Sequence, residues 1–245
     1  MLDAHIAAKR VGAEVLLRDV RITAAPGEIV ALLGPSGIGK TTTLRILLGL
    51  DRDVEGSVRR DAARLGAVFQ EPRLPPWLTV GRNIRLVIPR GQPMPDIAAL
   101  LDELGLPGTG TLYPAQLSLG MARRVALARA LAIAPDLLIL DEPFASLDPA
   151  MADRIAARLA RLSREHGTAL VMAMHDLDRA VALATRIVVL AGRPATVAYQ
   201  VEIAADADDA ERASVRADVI GRFPFTSGAA VDVHGDAVAV SPIRA

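Results

Sequence analysis

Cysteine is absent from the 245 residues, which excludes a disulfide framework, a thiol nucleophile and a thiolate metal site, and suits a reducing compartment. Aromatic side chains number only seven, so the core must be assembled from Ala, Val, Leu and Ile. Lysine is scarcer still: of 28 basic residues only Lys9 and Lys40 are lysines, and the other 26 are arginines. The formal net charge is zero and no basic stripe with interleaved aromatics occurs, which removes the electrostatic case for a nucleic-acid partner. No run of about 18 or more apolar residues is present, so no segment is expected to span a bilayer as a helix. Residues 1–5 lack the charged-then-apolar order of a signal peptide. Apolar residues nevertheless make up 51% of the chain, with a mean hydropathy of +0.32. Either a large aliphatic core or an apolar docking face would account for that.

Against this background residues 34–42 carry the strongest signal. Gly34, Pro35, Ser36, Gly37, Ile38, Gly39, Lys40, Thr41 and Thr42 complete a G-x-x-x-x-G-K-[ST] pattern. The apolar run 28–33 before it reads as a buried strand, and the periodic stretch 43–48 after it as a helix, which is the context a phosphate-binding loop needs. Its glycines let successive backbone N–H groups turn toward phosphate oxygens, and the helix N-terminus adds partial positive charge. Lys40 supplies a compact ammonium where a guanidinium fork would not fit the role. Thr41 supplies a hydroxyl for Mg²⁺. The sequence therefore points to a nucleoside triphosphate.

The rest of the chain reads as α/β. Residues 13–23 alternate as a strand, residues 25–28 turn into the phosphate-loop strand, and 64–70 form another short buried strand ending at Gln70. Three prolines within residues 72–76 forbid regular structure there. Helical pattern then runs from Val80 to about Leu104, interrupted by Pro89, Pro93 and Pro95, and a second helix spans about Leu119 to Ala132. Residues 72–134 read as a helical insertion. Strands at 136–140, 169–174 and 186–190 alternate with helices at 150–165 and 177–184, which implies a mostly parallel sheet. Beyond residue 200 an acidic helix candidate (204–219) and an alternating stretch (230–240) that reads as a hairpin carry no assigned chemistry.

A second carboxylate strand accompanies the phosphate loop. Residues 137–140 are four buried apolar positions, and Asp141 ends that strand, placed for Mg²⁺. Glu142 follows as the group to polarise an attacking water. Gln70 offers a side-chain carbonyl to metal or water, with a solvated turn as the plain alternative. Residues 146–148 lead into a helix with Pro149 in its first turn, where Asp148 is at least a cap. His175 follows the strand 169–174. It is either structural or a neutral donor to a γ-phosphate oxygen.

Taken in order, these pieces resemble the ATP-binding subunit of ABC transporters across about residues 1–200: the Walker A loop (34–42), the Q-loop (Gln70), the signature Leu117-Ser118-Leu119-Gly120-Met121, Walker B (137–142), the D-loop (146–148) and the switch histidine (His175). Residues 68–80 and the methionine ending the signature look most like the nitrate/sulfonate/taurine importer branch. The resemblance implies an α/β P-loop NTPase core with a mostly parallel sheet, an N-terminal antiparallel β-subdomain and an inserted α-helical subdomain. It implies one ATPase domain over 1–200 and a C-terminal extension over 201–245. The ligands implied are ATP and Mg²⁺. Glu142, His175 and Gln70 take catalytic roles, while Thr41, Gln70 and Asp141 face the metal. Ser118, Gly120 and Asp148 join residues 34–42 around nucleotide.

In the family two ATP molecules are sandwiched between two subunits, each signature facing the γ-phosphate held by the other copy. The implied partners are thus a second copy of the chain, separate membrane permease subunits and, indirectly, a soluble solute-binding protein. The implied location is peripheral, on the cytoplasmic face of the inner membrane. Trp77, in the proline-rich stretch, falls where the family receives its membrane subunits. Three positions depart from the family pattern. Leu119 replaces the signature's first glycine, at a cost of about 1 kcal/mol if that position needs positive φ. Val11 stands where an aromatic usually stacks on adenine, and Met174 replaces a small polar residue. A non-transport ABC ATPase, or a catalytically weak regulatory or scaffold subunit, is the alternative reading. A single cassette with no net positive charge argues against the first, and an ATPase measurement separates the second.

Overall fold

A computed structural model describes residues 1–227; the stretch 230–240, expected as a hairpin, lies outside the described residues. The chain divides into two units. One, the phosphate-loop unit, holds residues 3–23, 30–59 and 173–227; the other, the signature unit, holds residues 60–172 with the short pieces 1–2 and 24–29.

The phosphate-loop unit begins with β1 (Leu2–Val11) and β2 (Glu14–Ala24). The two-residue turn at Gly12 and Ala13 folds them back as antiparallel neighbours. β3 (Ile29–Leu33) is buried at every position and runs into the phosphate loop and α1 (Lys40–Leu47). β4 (Glu55–Arg60), which the sequence pattern does not announce, completes a three-stranded sheet in the order β2-β1-β4. It is polar along most of its length, so it offers no apolar alternation to read. Lys9, on β1, is buried, and its ammonium donates to the Asp51 carboxylate (2.9 Å) and the Asp53 carbonyl (2.6 Å), pinning the segment after α1. The hydrogen bond to Asp51 raises the Lys9 pKa against the opposing pull of burial.

In the signature unit β5 (Leu65–Val68) pairs in parallel with β6 (Leu137–Asp141), Leu65 opposite Leu137 and Val68 opposite Leu140. Their starts are clamped by Arg64, whose guanidinium and backbone N–H donate to the two oxygens of Asp136 at 2.6 and 2.9 Å. The expected strand is shorter than its pattern suggested: Gln70 lies two residues beyond its end. The helical stretch resolves into α2 (Val80–Arg85), α3 (Ile97–Glu103) and α4 (Leu119–Leu131), capped at Thr79, Asp96 and Ser118. Fully buried Asn83 donates from its amide to the carbonyls of Pro75, Leu78 and Thr79, which fixes the proline-rich segment without a helix. α5 (Pro149–His166) buries Ala152, Ile155, Leu159 and Leu162 on one face and ends at Gly167, φ 66°. That spacing is the amphipathic repeat of a helix packed on a sheet. β7 (Ala169–Ala173) follows β6 in the strand order β5-β6-β7.

The chain then returns to the phosphate-loop unit with α6 (Leu177–Leu183) and β8 (Arg186–Ala191), the latter parallel to β3 with Val30 opposite Arg186 and Leu33 opposite Val189. β9 (Thr196–Glu202) adds an antiparallel edge to β8. The acidic helix expected over 204–219 is α7 (Asp209–Arg222), opened by a capping box between Asp208 and Glu211. It docks through Arg216, which pairs with Asp178 on α6, and through Asp218, which accepts from the Tyr199 hydroxyl and from Arg222. No helix among the described residues is long and apolar enough to cross a membrane.

Candidate functional site

The phosphate loop is shaped by where a Cβ cannot go. At Gly39 (φ 109°) a Cβ would come within 2.7 Å of the Leu17 side chain, and at Gly34 (φ 156°) within 2.8 Å of the Leu190 carbonyl oxygen. β2 and β8 therefore press the loop into one course. Lys40 is the first residue of α1, only 9% exposed, and its ammonium donates to the carbonyls of Gly34 (2.6 Å) and Pro35 (3.0 Å). The one cation of this loop is thus held at its centre by neutral carbonyls, which a phosphate oxygen can replace with a stronger, charge-assisted bond. Thr41 is exposed in the first turn of α1, whereas Thr43 is buried and spends its hydroxyl on the Gly39 carbonyl (2.9 Å). Of these two threonines only Thr41 is placed to meet a ligand.

His175 stands exposed two residues past β7. Asp176 holds the turn by capping α6, accepting from the Arg179 N–H at 3.0 Å. One cavity of about 100 Å³ is bounded by Gly34, Pro35 and Ser36, by His175, and by Phe225 and Thr226. The first half of the loop and the switch histidine therefore do converge. The last two residues were not anticipated, because nothing in a lone Phe-Thr pair signals a ligand. Phe225 is held there by a tilted ring contact with Phe223 (5.8 Å between centroids, 57° between planes), and Phe223 in turn packs on Tyr199 (6.1 Å).

In the signature unit Asp141 ends β6 as a buried carboxylate, 5% exposed. Glu142 follows with φ 51°, a left-handed conformation that costs a non-glycine residue on the order of 1 kcal/mol or more. Ser146 is the second such residue in this turn, φ 63°. Strain at both ends of a five-residue turn, directly after a buried carboxylate, is typical of a segment held in shape for function. Asp141 and Glu142 line a small cleft with Phe69, Arg123 and Leu147. Gln70 is exposed just beyond β5.

The signature forms the first turn of α4. Ser118 is its cap and accepts from the Met121 N–H at 3.2 Å. Leu119 is ordinary right-handed helix, so the expected strain from a missing glycine does not arise. Gly120 is helical too, and a Cβ there would make only ordinary contact with the Ser146 carbonyl, 3.6 Å. Leu119 instead leaves its side chain 56% exposed. Asp148 caps α5, accepting from the Met151 N–H at 3.0 Å. Trp77 is 73% exposed and Val11, at the end of β1, 59% exposed, so neither serves the core.

The sequence profile of the ABC transporter family matches residues 17–145. A relative from Xanthomonas axonopodis pv. citri (strain 306), named aliphatic sulfonates import ATP-binding protein SsuB 1, is 44% identical over 81% of this chain and 84% of its own length. SsuB 2 of Burkholderia cenocepacia (strain HI2424) is 43% identical over 96% of this chain and 92% of its own. Among solved structures, the ATP-binding cassette MJ0796, a dimer in a post-hydrolysis state bound to ADP and Pi, aligns with a TM-score of 0.75 at 29% identity, covering 83% of this chain and 99% of that one. The chain belongs to the ABC transporter family, as one of its ATP-binding, ATP-hydrolysing import subunits.

Proposed function

We propose that this chain powers uptake of a small sulfonate-class solute by hydrolysing ATP in a pair of copies seated on separate membrane permease subunits, at the cytoplasmic face of the inner membrane, with a solute-binding protein delivering the cargo. The observation that carries the ATPase reading is the Lys40 ammonium buried at the centre of a glycine-turned loop between β3 and α1. The solute class comes from the relatives, which are named for aliphatic sulfonates import.

Lys40 exchanges the Gly34 and Pro35 carbonyls for β- and γ-phosphate oxygens, while the loop N–H groups and the α1 N-terminus take the remaining charge. The metal donors on offer are all oxygens: the Thr41 hydroxyl, the Asp141 carboxylate and the Gln70 amide carbonyl. No cluster of three or more His, Cys, Asp or Glu occurs among the described residues. That set fits Mg²⁺, which keeps waters and phosphate oxygens in its shell and takes few protein ligands. When bound, Mg²⁺ neutralises charge on the terminal phosphates. Glu142 takes the proton of the attacking water, Gln70 orients that water, and His175 donates to a γ-phosphate oxygen. Ser118 and Gly120 of the second copy close over the same γ-phosphate with the N-terminus of their α4, and Asp148 borders the nucleotide.

Replacing Glu142 with Gln removes the base and keeps the shape. ATP turnover should fall by about a hundredfold or more, with ATP affinity retained and the ATP-bound dimer accumulating in size-exclusion chromatography with light scattering. Turnover at the unmodified rate would remove Glu142 from the mechanism. The solute class is tested separately by sulfonate uptake in cells expressing the chain with its permease, with Glu142→Gln as the control.

A further inference from the structure

α4 carries three arginines that the reaction scheme leaves unused, and each reaches out to loop carbonyls. Arg124 donates to Leu104 (3.1 Å) and Gly105 (3.0 Å), bracing α4 against the loop after α3. Arg129 donates to Pro72 and Arg73, both at 3.0 Å, and its burial pulls the guanidinium pKa down from its ordinary value. Arg123 spans two loops at once. Its Nε donates to the Gln70 carbonyl (3.2 Å), and its NH1 to the Ala145 carbonyl (2.9 Å) and the Ser146 hydroxyl (2.9 Å).

We propose that Arg123 is a positioning residue that ties the Gln70 segment and the Ala145–Ser146 turn to the signature helix, so that water orientation, the Glu142 turn and the signature move as one body through the ATPase cycle. A planar guanidinium suits this, because its donors diverge in a fixed fork and one side chain can hold two backbones at a set distance. The turn it holds begins at Glu142 and ends at Ser146, both at positive φ. A strained turn persists only where its surroundings over-determine it, and Arg123 supplies two of the bonds at its far end. The ties lie at the first turns of α4, three residues after Gly120, where an added Cβ would lie 3.6 Å from the Ser146 carbonyl oxygen. Arg129 grips the adjoining proline-rich segment nearly two turns further on. The Gln70 loop is therefore held at both ends of residues 70–73 by one helix, and the same helix, through Arg123, holds the far end of the turn after Glu142.

The inference rests on the proposed roles of Gln70 and Glu142, and its test separates the two. In Arg123→Ala, amide hydrogen exchange should speed up at residues 70–71 and 144–147 together and stay unchanged in α5. The kcat for ATP should drop about tenfold, with KM within about twofold of the unmodified protein, since misplacing a reacting group lowers the rate without weakening phosphate binding. Arg123→Lys, which keeps one point charge and loses the fork, should recover part of the kcat. Unchanged exchange in either segment overturns the tie, and so does a loss of kcat that Lys does not restore at all. Loosened segments with an unchanged kcat overturn its part in the reaction. Run alongside, Glu142→Gln assigns the fault: if it too turns over normally, the catalytic reading has failed, and the exchange result stands on its own for the tie.

Discussion

At the scale of single residues, the two lysines divide structural from chemical work. Lys9 is consumed by Asp51 and Asp53, whereas Lys40 is held by the neutral carbonyls of Gly34 and Pro35. Only the second has a partner that a phosphate can displace. Lys40→Ala should weaken ATP binding by about 1.5–3 kcal/mol, the worth of a hydrogen bond to a charged group, as read by titration calorimetry, with little change in the unfolding midpoint. Leu119 makes a prediction of opposite sign to the sequence argument. Since it is right-handed helix and 56% exposed, Leu119→Gly should destabilise the fold slightly, by up to about 1 kcal/mol from helix propensity, in urea unfolding. A strained leucine would have given a gain. Lys40 was legible from the loop's spacing and Glu142 from its place after an apolar strand, whereas the signature was legible only through the family resemblance. The conformation of Leu119 was not legible, because φ is set by the cap at Ser118 and not by the pattern of glycines.

At the scale of elements, the buried strands β3, β6, β7 and β8 were all legible, since runs of four or more apolar residues ending in a polar turn have few other uses. β1, β4 and β9 were not read as strands. β4 is polar, and β9 is an edge whose burial is intermediate along much of its length, so neither carries the apolar signature on which such reading depends. What docks α7 is likewise invisible in one dimension, because Tyr199 and Asp218 meet only in the fold. Burial, then the hydrogen bond to Asp218, pushes the Tyr199 pKa up to about 12 from 10. Because the folded value lies above the unfolded one, the stability from this contact is full below about pH 10 and is lost as pH rises toward about 12. Amide exchange in α7 should accelerate across that window in the unmodified protein. In Tyr199→Phe the acceleration should shrink to the base-catalysed rise that all amides share, at a baseline cost of about 1 kcal/mol.

At the scale of the whole molecule, the proposed unit of work is two chains, each lending its signature to the other's phosphate loop. Symmetry then makes a quantitative demand. A Lys40→Ala chain and a Ser118→Arg chain are each inactive in pure form. Their mixed dimer contains one site with both defects and one with neither. Random pairing makes half of the dimers mixed, so an equimolar mixture should recover about a quarter of the unmodified ATPase rate, measured by phosphate release. No recovery would mean that each chain completes its own site.

The sequence by itself determined the ligand class, the family and where along the chain the buried strands lie. Those depend on local spacing: a loop of fixed length between strand and helix, and carboxylates at the end of an apolar run. Only the tertiary structure decided which groups hold those motifs in place. Arg123 sits 53 residues from Gln70 and 23 from Ser146, and Phe225 borders the cavity of Gly34 from nearly two hundred residues away in the chain. Such pairings follow from packing of distant elements, and no local pattern of residue types encodes the distance between two loops that one guanidinium will span.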